Sequence, residues 1–435
     1  YPGSSLVPLA LLEQPGGHLV QVYRFVNNPG NCPDAVCIEL VSVDAAGSPL
    51  AFGDVKALGF SSLAGAAVDS NGRIVVAGTL AEGLNGEDFG VVRFNVDGSS
   101  DTGFAGGGVA RVDFLGAQDH ANALALDRQD NIIVVGGTHH TALDQDFAVV
   151  RLLGTDGSPD PAFADNGRTH IGFDLGNASG SLLDVATTVA IGNDARIVVA
   201  GFAYDNTIDR NRIGLARLDP DGSPDTHFCD PACNFMGAYS AIHSGRRVYY
   251  FGDSSVHEDQ AWAIEGIPNG DFFIAGTSYA VDYTGSAAAV ARLDLAGNYV
   301  AEHLDARFGD NAEYRGVRIS DADATRVLLS GDSRPAGAGH AQNFVLVQAF
   351  SGLLAPLANY GDCLPDSSAL CFDYADGQND WGQDSARSLE LDHLGRPLLS
   401  AAIVPFEAAY SNALFARFTN DSGTRPDPVF RNGFN

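Results

Sequence analysis

A unit of roughly 60 residues recurs seven times along this chain, and nothing else in the sequence constrains the fold as strongly. The copy beginning at Ala123 reads ALALDRQDNIIVVGGT, then a polar loop, then DQDFAVVRLLGTDGSPDPAF. The copy before it reads AAVDSNGRIVVAGT and GEDFGVVRFNVDGSSDTGF; the copy after it reads TVAIGNDARIVVAGF and NRIGLARLDPDGSPDTHF. A glycine closing the apolar run marks the copies at Gly78, Gly137, Gly201, Gly276 and Gly331. Ser400 stands at the equivalent place, and a degenerate first copy lies near Arg24.

Each unit reads as four strands. Ala123 to Leu126 alternates small and large side chains, as a half-buried strand does, and Ile132 to Val135 is a continuous apolar run suited to burial on both faces. Phe147 to Leu152 and Gly108 to Phe114 exemplify the third and fourth strands. Asp-Asn, Asn-Gly and Asp-Gly at the tips supply hairpin turns, because these residues tolerate positive φ. The expectation is therefore an all-β, seven-bladed β-propeller with four antiparallel strands per blade, spanning 1–435 as one domain. Blades fall at about 1–60, 61–115, 116–175, 176–255, 256–310, 311–380 and 381–435. Inner strands are expected near Leu6–Leu12, Ala64–Asp69, Ala123–Asp127, Leu183–Ile191, Ala261–Ile267, Tyr314–Ser320 and Ser385–Asp392. The last outer edge is expected to be filled by Asn432–Asn435 or Tyr1–Ser5. A parallel β-helix fits less well, because its coils are shorter than this unit.

The pattern A-x-A-x-D-x-x-G-[KR]-I-x-V-A-G, then D-F-x-V-V-R-[LF], then D-G-S-x-D-x-x-F, resembles the delta-60 repeat of bacterial secreted and surface proteins. The likeness is close over Ala64–Phe104, Ala123–Phe163 and Thr187–Phe228, partial at Trp262–Phe308 and Ser385–Phe430, and poor at Ser4–Phe52 and Glu313–Gly352. It implies the propeller architecture. The family is largely without assigned chemistry, so the resemblance carries over no catalytic residue.

A chain that opens at Tyr1 rather than Met suggests a processed signal segment, and the expected location is secreted, at a bacterial periplasm or cell surface. No run of 18 apolar residues is present. Six cysteines fall into local pairs, Cys32/Cys37, Cys229/Cys233 and Cys363/Cys371, which read as disulfides. A formal net charge of −29 repels phosphate backbones, which makes nucleic acid a poor partner. Arg93, Arg151, Arg217, Arg292 and Arg417 share one position of the third strand, where pairing with turn carboxylates or with carbonyls of the same or next blade is expected. The Asp-Gly turns have calcium-loop spacing in outline, yet recurrence in register favours Asp capping its own turn.

Function is expected where the repeats stop matching. The loops of one face collect Asp119 and His120, His139 and His140, Tyr204 and Asp205, and His257, Glu258 and Asp259. The same face adds Tyr279, Tyr283, Glu313, Tyr314, Arg315, Trp381 and Asp384. The candidate ligand-binding set is His120, His139, His140, Tyr204, His257, Glu258, Tyr279, Tyr314, Arg315, Trp381 and Asp384, around the channel mouth. Trp262, at the start of an inner strand, reads as packing; Trp381, in GQNDWGQD, reads as ligand contact. No cofactor is required. The histidines and their neighbouring carboxylates are a donor set for a divalent cation, calcium or zinc. No nucleophile motif, phosphate loop or dinucleotide fingerprint occurs. The expected function is binding of a glycan, peptide or protein at that mouth. The alternatives are a metal-assisted hydrolase or lyase using His120, His139, His257, Glu258 and Asp259, and a structural or adhesive module. The sequence leaves the oligomeric state open.

Overall fold

The computed structural model describes residues 5–26, 32–43, 49–52, 55–82, 86–114, 116, 118–176, 180–229, 245–252, 258–279, 285–305, 311–319, 326–334, 344–357, 369–372, 385–403, 412–417 and 430–432. Its strands form three eight-stranded sheets and one four-stranded sheet. The first sheet holds β1 (Ser5–Glu13), β2 (Leu19–Val26), β3 (Val36–Val43), β4 (Pro49–Phe52), β5 (Lys56–Val68), β6 (Ile74–Glu82), β7 (Gly86–Phe94) and β8 (Val109–Val112). The second holds β9 (Asp119–Leu126), β10 (Ile132–Thr141), β11 (Asp144–Leu152), β12 (Arg168–Ile171), β13 (Leu182–Ile191), β14 (Ile197–Asp205), β15 (Arg210–Leu218) and β16 (Arg246–Tyr249). The third holds β17 (Glu258–Gly266), β18 (Phe272–Tyr279), β19 (Ser286–Leu293), β20 (Tyr299–Asp305), β21 (Asn311–Ile319), β22 (Arg326–Arg334), β23 (Phe344–Ser351) and β24 (Ala369–Phe372). The fourth holds β25 (Ser385–Leu391), β26 (Pro397–Ile403), β27 (Asn412–Arg417) and β28 (Phe430–Asn432). Every eight-stranded sheet is two antiparallel four-strand meanders, joined where β3 meets β5, β11 meets β13 or β19 meets β21.

Meanders pack face to face. In β6, Val75 and Ala77 join the cluster with Ile132 and Val134 of β10, while Ile74 and Val76 point the other way into the cluster with Val20 and Val22 of β2. This is why the second strand of each unit is apolar without alternation. The first and last meanders also meet. Leu11, Tyr23 and Val41 share a cluster with Leu398, Leu11 donates its N–H to Ser388 Oγ (3.4 Å), and Glu13 accepts from His393 Nδ1 at 2.9 Å. Among the described residues, no strand of β1–β4 pairs with one of β25–β28; packed side chains and hydrogen bonds that each involve a side chain join that seam. The last outer edge is filled by β28, at Phe430–Asn432, from the C-terminal side.

The recurring arginines serve the frame. Arg93, Arg151 and Arg217 hold Asp101, Asp160 and Asp225 through Nε at 2.9, 2.7 and 2.7 Å, and stack over Phe104, Phe163 and Phe228. Each also donates to a carbonyl of the following meander, at Gly154, Pro220 and Leu295. Arg292 departs in detail, holding Asp271 and the Gly352 carbonyl. The side chain of Arg417 lies outside the described residues. In the D-G-S-x-D-x-x-F turn the first Asp caps its own loop: Asp97, Asp156 and Asp221 accept from the N–H and hydroxyl of Ser99, Ser158 and Ser223. The structural reading of these turns holds, and their carboxylates are already engaged.

Cys32 and Cys37 form a disulfide, with Cα atoms 5.8 Å apart. Cys229 is also disulfide-bonded; Cys233, Cys363 and the Cys371 side chain lie outside the described residues. No helix among the described residues is long and apolar enough to cross a membrane.

Candidate ligand site at the channel mouth

The first strand of every meander lines a central channel and carries a β-bulge at one level. In β9, Ala121 pairs with Gly136 and Ala123 with Val135, so Asn122 is the extra residue. By the same register the bulge residues are Leu9, Ala64, Thr187, Trp262, Arg315 and Arg387. A bulge turns a side chain out of the ladder. Asn122, Thr187, Trp262, Arg315 and Arg387 consequently line one cavity of about 440 Å³ at the end where the irregular loops emerge. Three residues further along, toward the opposite mouth, the channel carries Glu265, Arg318 and Glu390, with Arg318 donating to Glu390 at 2.7 Å and to Glu265 at 3.4 Å.

The bulge explains the glycine that marks each repeat. A Cβ on Gly78, Gly136, Gly201, Gly276 or Gly331 would sit 2.2, 1.7, 2.0, 2.0 or 1.9 Å from a carbonyl oxygen of the bulged strand. At these five positions any side chain would collide with that carbonyl, whereas the first and last units carry their bulges opposite Tyr23 and Ala401. The register places the marker at Gly136 rather than Gly137 in the third unit and at Ala401 rather than Ser400 in the last.

The cavity is chemically lopsided. Trp262 donates its indole N–H to Thr277 Oγ1 (3.0 Å), and the Arg315 guanidinium lies 4.6 Å over its ring. Arg315 Nε also meets Glu313 at 2.6 Å. Asn122 donates to the Ala186 carbonyl and Thr187 to that of Ala261, so both are anchored from adjacent inner strands. Burial holds the Arg387 guanidinium below its ordinary range; Asp332 opposes this, while Arg315 and Arg24 reinforce it. Arg24 Nε is itself buried without a hydrogen-bond partner. Three arginines thus gather at this end of the channel in an otherwise acidic molecule, with Glu313 and Asp332 offsetting part of their charge. Burial also raises the Asp332 carboxyl, and Glu313 adds to the shift; the Ala386 N–H, the Ser385 hydroxyl and Arg315 draw it back. The Tyr279 hydroxyl is raised by burial and by Glu313 and Glu258, with Arg315 opposing.

Some expected site residues converge here and others do not. Glu258 pairs with Tyr279 across β17 and β18, and Tyr279 borders Arg315 and Glu313. Tyr314 is fully buried instead, donating its hydroxyl to Gln348 Oε1 at 2.5 Å; it sits just before the bulge and faces the core. Tyr204 leans away to hydrogen-bond Asp209. His120, Glu258, Tyr314 and Arg315 occupy strands rather than loops, because inner strands start as early as Lys56, Asp119, Glu258 and Asn311. His120 and His139 meet edge to face at 6.0 Å, with His120 against Glu87 and His139 against the Gln118 carbonyl. His140 points elsewhere, to Asp146. His257, Tyr283, Trp381 and Asp384 lie outside the described residues. Asp119 and Asp259 are not open to a ligand. With Asp184 they are fully buried latches, each accepting the backbone N–H of a phenylalanine that ends the preceding meander: Phe114, Phe251 and Phe173. Trp262, expected to pack, lines the channel cavity beside Phe202. It escaped the sequence reading because a bulge shifts the inward–outward alternation by one residue.

A family model described as "Domain of unknown function (DUF5122) beta-propeller" matches residues 70–104, 129–163 and 193–228. The fold is a β-propeller. These three segments fall inside the three copies that most resemble the delta-60 repeat, and each ends on the phenylalanine stacked beneath a recurring arginine, Phe104, Phe163 or Phe228. No curated protein matches the chain. Among solved structures, the beta-propeller domain of the Trilobed protease from Pyrococcus furiosus is similar, with 7% identity, 98% of each chain covered and a TM-score of 0.46. An endo-arabinase from Bacteroides thetaiotaomicron is similar at 11% identity over 64% of this chain and 90% of that chain, with a TM-score of 0.33.

Proposed function

We propose that this propeller is a seven-bladed, single-domain binding protein, secreted as its disulfide pairing suggests, that takes a carboxylate-bearing ligand at the channel mouth, with an acidic glycan as the first candidate. One observation carries the reading: Trp262, Arg315 and Arg387 are bulge residues on three successive inner strands, turned into one cavity with Arg24 behind them. Guanidinium matches carboxylate in geometry, and an indole face stacks on a sugar ring or a planar peptide group. The blade count draws on the four-strand meanders and on a bulge at the same level of every inner strand. Nothing in this reading requires a cofactor, and the acidic exterior disfavours nucleic acid.

Calorimetry with uronic-acid oligosaccharides, size-matched neutral oligosaccharides and acidic peptides tests the assignment. The acidic glycans should bind, the neutral ones should not, and Arg387→Ala should weaken binding by roughly 10-fold or more, in the range of interface hot spots, without changing the circular dichroism. Equal binding of neutral sugars would remove the carboxylate from the account. Binding of acidic peptides alone, lost in Arg387→Ala, would make the ligand a peptide. No binding at all would favour a structural or adhesive module.

A hydrolytic reading of the same mouth draws on one further observation. Glu313 and Asp332 pair across β21 and β22, and Arg315 lies against both, at 2.6 and 3.9 Å. A close pair of carboxyls, one of them raised by burial as Asp332 is, is the usual equipment for acid–base chemistry. Release of reducing ends from the bound glycan would shift the assignment to that chemistry.

A further inference from the structure

We propose that His140, Asp146 and His170 form a binding site for one borderline divalent cation of the zinc, cobalt(II) or nickel(II) class, on the outer part of the β9–β12 meander and away from the channel. The three residues come from adjacent strands β10, β11 and β12. His140 Nε2 lies 2.9 Å from Asp146 Oδ2, His170 Nε2 lies 3.9 Å from the same oxygen, and the two imidazoles meet at 4.9 Å between centroids. One ligand atom from each of the three falls within 4.8 Å of the others. Ligands around a tetrahedral zinc ion, at about 2.0–2.2 Å from the metal, stand roughly 3.3 Å apart, so small side-chain rotations complete the geometry.

Two features of the backbone point the same way. His139 pairs with Gln145 and Thr141 with Asp144, which leaves His140 as a bulge residue turned out of the β10–β11 ladder. Without that bulge the histidine would continue the strand's alternation. Opposite it, Gly172 leaves open a space that a Cβ would fill, 2.6 Å from Asp146 Oδ1 and 3.1 Å from Asp174 Oδ2.

The electrostatics also favour a cation. Asp144 and Asp174 bring carboxylate oxygens within the same 4.8 Å limit of Asp146, so the imidazole pair sits in an excess of negative charge. Two nitrogens and one carboxylate oxygen suit zinc and its neighbours. Calcium and magnesium prefer oxygen throughout. Three protein ligands leave a coordination position for water or a small anion. His170 is the residue that sequence reading missed. It sits on the short outer strand, 30 residues from His140, and only the β11–β12 register brings the two together.

The test uses the untagged full-length chain after chelator treatment, with cobalt(II) and zinc chloride as probes. Cobalt should give one equivalent with a visible d–d spectrum, displaced by zinc. His170→Ala, at a half-exposed position whose replacement leaves the core intact, and His140→Ala should each weaken cobalt binding by roughly 100-fold, the upper end of what perturbed metal sites lose. His120→Ala should leave affinity unchanged. Absence of binding would overturn the proposal. So would binding that survives both His140→Ala and His170→Ala, because the metal would then sit elsewhere. Loss of binding in His120→Ala with His170→Ala unaffected would move the site to the other histidine pair and equally overturn it.

Discussion

Gly201→Ala separates two effects of opposite sign. The backbone of Gly201 is in an ordinary strand conformation, so alanine there would by itself stabilise the fold by about 0.4–1 kcal/mol through the unfolded chain. The added Cβ, however, would lie 2.0 Å from the Val185 carbonyl oxygen, 2.7 Å from Ala186 Cα and 2.9 Å from the Val185 carbonyl carbon. All three are backbone atoms of the bulged strand and cannot swing aside. Relief requires a displacement of more than an ångström, at or above the upper end of the roughly 1–3 kcal/mol that overpacking costs. The expected net loss is about 2 kcal/mol. Gly266→Ala is the control: no heavy atom lies within 4 Å of its Cβ position, and its φ is not in the left-handed region. That variant should match or exceed wild-type stability. Urea unfolding, followed by two probes whose transitions coincide, measures both through the midpoint at constant m-value. Gly201→Ala as stable as Gly266→Ala would refute the claim that Gly201 is there to admit the bulged strand's carbonyl.

Burial, opposed by the Phe173 and Asp174 N–H groups, pushes the Asp184 carboxyl up to about 7. The folded chain thus holds this proton more tightly than the unfolded chain. The associated stability is complete below the unfolded value of 3.8 and is lost as pH rises through about 7. The shift corresponds to an order-of-magnitude loss of roughly 4 kcal/mol from pH 4 to pH 8; Asp184→Asn should flatten that decline, and an unchanged pH profile of urea midpoints would contradict it. Reducing Cys32–Cys37, or replacing both cysteines by serine, should lower stability by about 2 kcal/mol, as loop-closure entropy gives for so short a ring. A midpoint unmoved by dithiothreitol would show that the bond contributes nothing.

The frame was legible in the chain because its devices are local. Asp101, Asp160 and Asp225 lie eight or nine residues after the arginines they bind, and Phe104, Phe163 and Phe228 follow three residues later. Turn capping by Asp97, Asp156 and Asp221 spans two residues. The site was less legible because it depends on register. Loop composition led to Tyr314, which the strand carries into the core, while the neighbouring Arg315 reaches the channel. A usable signal was nonetheless present. Ala64, Asn122, Thr187 and Trp262 each stand fourteen residues before the glycine of their unit, Gly78, Gly136, Gly201 and Gly276. Asp119, Asp184 and Asp259 stand three residues before the bulge, which assigns them to the latch rather than the ligand. The histidine pairs could not be sorted from sequence, since adjacent His139 and His140 turn to different partners only because a bulge falls between them and Asp144.

The central claim is that bulged inner-strand residues build one ligand site around Trp262. The chain has two tryptophans, so Trp381→Phe leaves Trp262 as the sole indole reporter. Titrating this variant with a uronic-acid oligosaccharide should change the Trp262 emission saturably, and adding Arg387→Ala should shift the midpoint to at least roughly tenfold higher ligand. An emission that stays constant while calorimetry records binding would place the ligand elsewhere on the protein and contradict the account.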